Sequence, residues 1–221
     1  ANTNHWMRGG TYGWQAARQG FVFMGWTNTE ANMPAWGARD RRLGNNPMVL
    51  AVPFDKEAIV LDFAMTQFSY GKMETVRLEG GKLSFPGGFD TAGRLTDDPA
   101  AIIESWRALP IGYWKGAGLA LLLDIMATIL SAGISTEQIS KREAEYGVSQ
   151  VFIAIDTRKL SNYPAIDTAI SGIMTDLKAS VPDGTGVAIR YPGEHVLDTR
   201  TENLKNGIPV QKKVWDEILL L

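Results

Sequence analysis

The chain has 221 residues, 45% of them hydrophobic and 21% charged, enough for one large domain or two small ones around a substantial core. Lys+Arg 22 against Asp+Glu 24 leaves a net charge of −2, which excludes the basic footprint of a nucleic-acid binder. Cysteine is absent, so disulfides, thiolate nucleophiles and thiolate-held metals are ruled out, and two histidines far apart offer no histidine-rich metal site.

In chain order, Tyr12–Arg18 reads as a short helix entered through Gly9-Gly10 and left at Gly20. The apolar run Phe21–Trp26 predicts a strand buried on both faces. Thr27–Pro47 is polar and punctuated by Pro34, Gly37, Gly44 and Pro47, a long loop of the kind that carries function. Met48–Val52 and Ala58–Phe63 predict two strands split by a turn at Pro53–Lys56, and Gln67–Gly93, rich in glycine and charge, a long excursion. Pro99–Trp106 suggests one or two helical turns. Lys115–Ser131 is the strongest helix, apolar on most faces and therefore expected to be buried, closing at Gly133. Gln150–Ile155 predicts another buried strand, Pro164–Ala179 an amphipathic helix, Gly186–Arg190 a strand, and Val196–Asn206 and Gln211–Leu219 helices. Loose alternation of strands and helices predicts an α/β domain with a mixed sheet, and no boundary inside residues 1–221 is visible. The apolar run Leu119–Leu130 is broken by Asp124 and too short to span a bilayer. The first residues lack the charged-then-apolar pattern of a secretory leader, so a cytoplasmic protein with no membrane or nucleic-acid partner is expected.

Four segments carry the chemistry. His5 is flanked by Asn2, Asn4, Trp6, Arg8 and the pair Gly9-Gly10, and an imidazole exchanges protons near neutral pH. An inert, hydrogen-bonded histidine at a helix start is the plain alternative. Ile111–Gly118 gathers Lys115 and three glycines where the long helix begins, an arrangement suited to an anion, or simply to a glycine-assisted helix start beside Tyr113 and Trp114. Tyr191–His195 precedes another helix and offers free N–H groups for a diphosphate or ribose, or an ordinary turn. Asp62 ends the apolar run Val60–Ala64, where a carboxylate can bind ribose hydroxyls, orient a histidine, or face water. Neither the Gly-x-Gly-x-x-Gly fingerprint, the Gly-x-Ser-x-Gly elbow nor His-Glu-x-x-His occurs. Phosphates and a proton-coupled reaction suit what is present.

In this order the four segments resemble the malate/L-lactate dehydrogenase family, which is unrelated to the classical Rossmann dehydrogenases. The likeness runs along nearly all the chain, through Asn4–Gly10, Gly13–Ala17, Trp26–Asn28, Pro34–Gly37, Leu43–Pro47, Phe68–Gly71, Gly87–Asp90, Gly112–Gly116, Glu145–Gly147 and Pro192-Gly193. Most of the family reads Asn-His-Phe-Gly where this chain reads Asn4-His5-Trp6-Met7. The version Trp6–Gly10 points to a branch whose members reduce a sugar-derived 2-oxo acid.

The resemblance implies a homodimeric oxidoreductase built on a non-Rossmann mixed β-sheet layered with helices. Its implied cofactor is NAD, with NADH preferred and NADP the alternative. Ala58, Ile59, Val60, Leu61, Asp62, Phe63 and Ala64 match the nucleotide-contacting strand, and Trp114 and Lys115 the second cofactor segment. Gly193, Glu194 and His195 match the third, where a relative reads Gly-His-Glu, and Thr29 matches a contact on the nicotinamide side. His5 and Asp62 are the expected catalytic residues, and Arg8 is a candidate for the substrate carboxylate with a surface arginine as its alternative. Members also carry an N-terminal helical region with a histidine assigned as proton donor in this branch. The chain is therefore expected to be the nucleotide-binding and C-terminal portion of a longer reductase. Alternatives are a sibling acting on malate, lactate, sulfolactate or ureidoglycolate, and a nucleotide-binding fragment without catalysis.

Overall fold

The computed structural model describes residues 1–221. It begins with α1 (Gly10–Arg18), β1 (Phe21–Thr27), the short β2 (Met33–Pro34) and β3 (Arg41–Leu43), then β4 (Met48–Phe54) and β5 (Glu57–Phe63). There follow α2 (Tyr70–Leu78), β6 (Gly88–Phe89), β7 (Leu95–Thr96), α3 (Pro99–Ser105), α4 (Trp114–Ser131), α5 (Thr136–Ile139) and β8 (Gln150–Asp156). α6 (Ile166–Lys178), α7 (Glu194–Asn206) and α8 (Lys212–Ile218) complete the chain.

Four strands form the central sheet in the order β5-β4-β1-β8. β4 and β5 are a hairpin whose two-residue turn has Asp55 at φ +52°, and their register pairs Val49 with Asp62 and Ala51 with Val60. Side chains alternate across the sheet, which fixes its two faces. Phe23, Val49, Ala51, Ala58 and Val60 pack with Trp6 and Ala17 beneath α1. Trp26 points the other way, to Met33, Met65 and the α4 residues Ala120, Leu123 and Ala127. Gly13 lets α1 lie close on its face, since a Cβ there would stand 2.8 Å from Val49 Cγ1. A third core of Met73, Leu83, Ile102 and Ala108 sits under α2 and α3.

The α/β layering follows the expectation, and several details do not. All pairings of the sheet are antiparallel where a mixed sheet was expected, because the β4–β5 turn is too short for a parallel crossover and β8 returns against β1. The Thr27–Pro47 loop contains the β2–β3 ladder, and the Gln67–Gly93 excursion contains α2, which Ser69 caps by accepting the Lys72 N–H. α4 is half buried, not enclosed, because the sheet covers only one side. Its small residues Gly116, Ala117, Ala120 and Ala127 face inward, and Leu122, Ile125, Ile129 and Leu130 are exposed. β8 is likewise an exposed edge, with Phe152, Ile153 and Ile155 uncovered. Gly186–Arg190 forms no strand: Gly184 and Gly186 lie at φ +85° and +81°, which breaks extended pairing. By length and composition α4 could cross a membrane, but Asp124 at its middle accepts hydrogen bonds from Asn28 and the Thr136 N–H within the fold. No residue from 158 to 221 is buried.

Candidate active site

Two clefts and one strand organise the candidate residues. His5 lies on a loop pinned at both ends. Thr3 bridges to Val148, the Gln150 amide donates to the Asn4 carbonyl at 2.9 Å, and Trp6 is buried against Phe152. Asp62 holds the far end, its Oδ2 accepting the Gly10 N–H at 2.7 Å at the start of α1. The Met7 N–H donates to His5 Nδ1 at 3.0 Å, with Met7 at φ +61°. A neutral ring that accepts at Nδ1 carries its proton on Nε2, so His5 presents an Nε2–H donor.

His5 opens onto a cleft of about 450 Å³ lined chiefly by Thr29, Glu30, Asn32, Asn45, Tyr70 and Glu145. Thr29, Glu30, Asn32, Asn45 and Pro47 of this wall come from the polar segment after β1, and a buried amide network shapes it. Asn28 donates to Asp124 at 2.8 Å and to the Ile134 carbonyl at 2.7 Å, and accepts the Ser149 N–H at 2.7 Å. Asn46 accepts the Thr29 N–H and donates to the Ala120 carbonyl. The Thr29 hydroxyl donates to Asn45 Oδ1 at 3.1 Å, and the Glu30 N–H to Glu145 at 2.9 Å. Tyr70 donates to the Asn32 carbonyl at 2.6 Å, and burial pushes its phenol up to about 12, so it is a neutral donor at neutral pH. Asn32 Oδ1 is buried without a partner, an acceptor awaiting a donor.

The three expected nucleotide segments converge along β5. The Val60 N–H donates to the Pro192 carbonyl at 3.1 Å, and Gly193, at φ +87°, packs so closely that a Cβ would stand 3.1 Å from the Val60 carbonyl. At the other end of β5, the Ile111 N–H donates to the Met65 carbonyl, which seats the turn leading to Trp114 and Lys115. Trp114 and Lys115 are exposed, and Lys115 has no carboxylate partner. Ala58 and Val60 point into the core beneath α1; Leu61 and Asp62 are the exposed residues of the strand and lie on opposite faces of it, Asp62 on the α1 side. Glu194 is engaged elsewhere: Lys178 binds it at 2.6 Å and holds its carboxyl below the usual range. His195 and Arg8 lie outside the His5 cleft and together line a second groove, between the end of the His5 loop and α7, that adjoins a hollow between α1 and α7.

Asp62 is thus bonded to the loop that carries His5 and makes no hydrogen bond to the His5 ring. Asn32, Asn45, Tyr70, Trp106 and Glu145, all on the cleft wall, escaped sequence reasoning. Asn45, Tyr70 and Glu145 lie in the family motifs Leu43–Pro47, Phe68–Gly71 and Glu145–Gly147, whereas Asn32 and Trp106 lie in none of those motifs.

Residues 1–219 match the family described as malate/L-lactate dehydrogenase. The chain belongs to that family. It is 45% identical over 221 residues to proteins named 2,3-diketo-L-gulonate reductase from Citrobacter koseri and from Escherichia coli, covering all of this chain and 66% of each relative. As a malate/L-lactate dehydrogenase family member it also shares its fold with solved structures. Sulfolactate dehydrogenase from Methanocaldococcus jannaschii superposes with a TM-score of 0.82 at 27% identity, covering 97% of this chain and 62% of that one. Malate dehydrogenase from Pyrococcus horikoshii gives 0.82 at 26% identity, covering 97% and 60%.

Proposed function

We propose that this chain carries the cofactor-binding part and one wall of the active site of a reductase. The enzyme would use NADH, with NADPH as the alternative, to reduce a carbonyl of 2,3-diketo-L-gulonate. The observation that carries the reading is the His5 cleft, where an imidazole donor faces a wall of amides, hydroxyls and carboxylates. A polyhydroxylated oxo acid needs many directed acceptors, and the carboxylates Glu30 and Glu145 on the cleft wall supply them. The residues along β5 also suit a nicotinamide dinucleotide. Trp114 offers an exposed ring, Lys115 an unpaired cation, and Leu61 and Asp62 exposed side chains, one on each face of the edge strand against which Gly193 packs.

When bound, the reduced nicotinamide supplies the hydride. His5 donates its Nε2–H to the carbonyl oxygen and stabilises the negative charge that develops there. Giving up that proton outright would require a ring protonated at Nδ1, and the Met7 N–H occupies that position. His5 therefore polarises the carbonyl in this conformation, and full transfer follows only once the Met7 bond opens. Asp62 positions the loop through Gly10, and Tyr70 keeps the Asn32 backbone in place. Homodimerisation and cytoplasmic residence belong to the same reading. The exposed row Leu122, Ile125, Ile129 and Leu130 on α4 supports the dimer, which light scattering would test.

One observation favours a nucleotide-binding unit without turnover. The other histidine, His195, lines a different groove, so the His5 cleft contains a single imidazole. NADH oxidation assayed with 2,3-diketo-L-gulonate, malate, lactate, sulfolactate and ureidoglycolate separates the readings. Turnover of the diketo acid that vanishes in His5→Ala supports the proposal. Dinucleotide binding with no turnover of any of the five supports the second reading.

A further inference from the structure

We infer that the groove between α1 and α7 is a phosphate-binding subsite built on Arg8 and Arg200, which holds the adenosine phosphate half of the dinucleotide. The inference rests on the cofactor reading above. Two adjoining hollows of about 550 Å³ each share Arg8, Val196 and Arg200 in their walls. Arg8 ends the His5 loop, and Arg200 lies near the middle of α7, so two separate elements bring cations to one place. Neither guanidinium makes an ion pair or a side-chain hydrogen bond, whereas Arg18, also on this groove, is bound to Glu57 at 2.6 Å. In a chain of net charge −2, two uncommitted arginines facing one hollow are a local excess of positive charge. Guanidinium groups bind phosphate oxygens through paired, charge-assisted hydrogen bonds.

The remaining wall suits the rest of such a ligand. Val196, Leu204 and Ile208 give an apolar surface for a purine, and Thr199 and Asn203 offer polar groups for ribose. The groove is also continuous with the β5 track. His195 lines it directly, and Trp14, on its other side, stands 3.3 Å from where a Cβ of Gly193 would be. A dinucleotide lying along β5 past Gly193 therefore reaches Arg8 and Arg200 with the phosphates of its adenosine half. Arg8, which the sequence offered as a candidate for the substrate carboxylate or as a plain surface arginine, is thereby assigned to the cofactor.

The test is calorimetric titration of the 221-residue chain with 5′-ADP and with 2′,5′-ADP, alongside fluorescence titration with NADH and NADPH. Arg8→Gln and Arg200→Gln are each expected to weaken adenosine phosphate binding about tenfold, the loss of one charge-assisted contact. Arg94→Gln removes the same charge outside the groove and should change binding less than about twofold. A loss confined to 2′,5′-ADP assigns the clamp to a 2′-phosphate, a loss shared by both ligands assigns it to the 5′-phosphate they have in common, and a loss confined to 5′-ADP assigns it to the second phosphate of the diphosphate. Failure of the wild-type chain to bind either adenosine phosphate overturns the inference, as does an equal loss in Arg94→Gln or no loss in the clamp variants. If NADH still binds in that last case, the cofactor reading survives and only the subsite falls. If adenosine phosphates bind through the arginines while NADH and NADPH do not, the subsite stands and the cofactor reading falls.

Discussion

Removing the side chain of Asn28 should unfasten the cleft wall from the sheet. Asn28 is fully buried and makes three hydrogen bonds, to Asp124, to the Ile134 carbonyl and from the Ser149 N–H. In Asn28→Ala these partners fare differently. The Ile134 carbonyl keeps the Ser149 hydroxyl at 3.0 Å, and Asp124 keeps the Thr136 N–H at 2.8 Å. The Ser149 N–H is left with nothing, because its bond went to Asn28. An orphaned buried donor costs about 1–3 kcal/mol, and a lost bond to a carboxylate about 1.5–3 kcal/mol. The sum, about 2.5–6 kcal/mol, is a large share of the roughly 5–15 kcal/mol that holds a domain together. Urea unfolding followed by tryptophan fluorescence should show the midpoint falling with the slope unchanged. Asn28→Ala combined with Asp124→Ala should cost less than the two single changes added together, since the pair shares one bond. A loss below about 1 kcal/mol in Asn28→Ala, or strict additivity of the pair, would refute the reasoning.

Three other perturbations follow from single contacts. Asp62→Ala removes the acceptor of the Gly10 N–H and should cost about 1 kcal/mol by thermal melting, with Asp62→Asn restoring most of it. Tyr70 is neutral in the fold up to about 12, above its unfolded value of about 10, so its contribution is whole below pH 10 and disappears as pH rises towards 12. The loss has a ceiling of about 2.5 kcal/mol, and alkaline urea titrations should show that slope flatten in Tyr70→Phe. Gly193→Ala places a Cβ at φ +87° and 3.1 Å from the Val60 carbonyl, so limited proteolysis should cut faster around residues 180–192 while the urea midpoint of the sheet stays put. Unchanged cleavage would show that Gly193 does not dock this segment.

The sequence announced the sheet because apolar runs and a short turn say little else. Phe21–Trp26, the Met48–Phe63 hairpin and the helix before it all appear where composition puts them. The exposed faces of α4 and β8 were not legible, since an apolar side chain reads as buried wherever it sits. α2 was hidden because Gly71 and the glycine pair Gly80-Gly81 masked a helix that one Ser69 cap and Met73 in a core suffice to fix. His5 was recognisable by its residue type, and its loop was quoted among the family motifs. The wall opposite it was not: Asn32, Tyr70 and Glu145 are far apart in sequence and meet only through the fold. Arg8 shows the same limit, because nothing along the chain says that it faces α7 and not His5.

The 64 residues after Thr157 hold no buried side chain, yet they supply α7, one wall of the arginine groove. Their attachments are few: the Pro192 carbonyl on Val60, Phe54 against Tyr191, and Gln211 on Glu79. The two walls of the groove therefore live on different clocks. α1 opens only when the sheet does, and α7 can lift on its own with little apolar surface to lose. Whatever bridges Arg8 and Arg200 would act as a rivet, and its arrival would be recorded by slowed amide exchange along α7 before any change in the sheet.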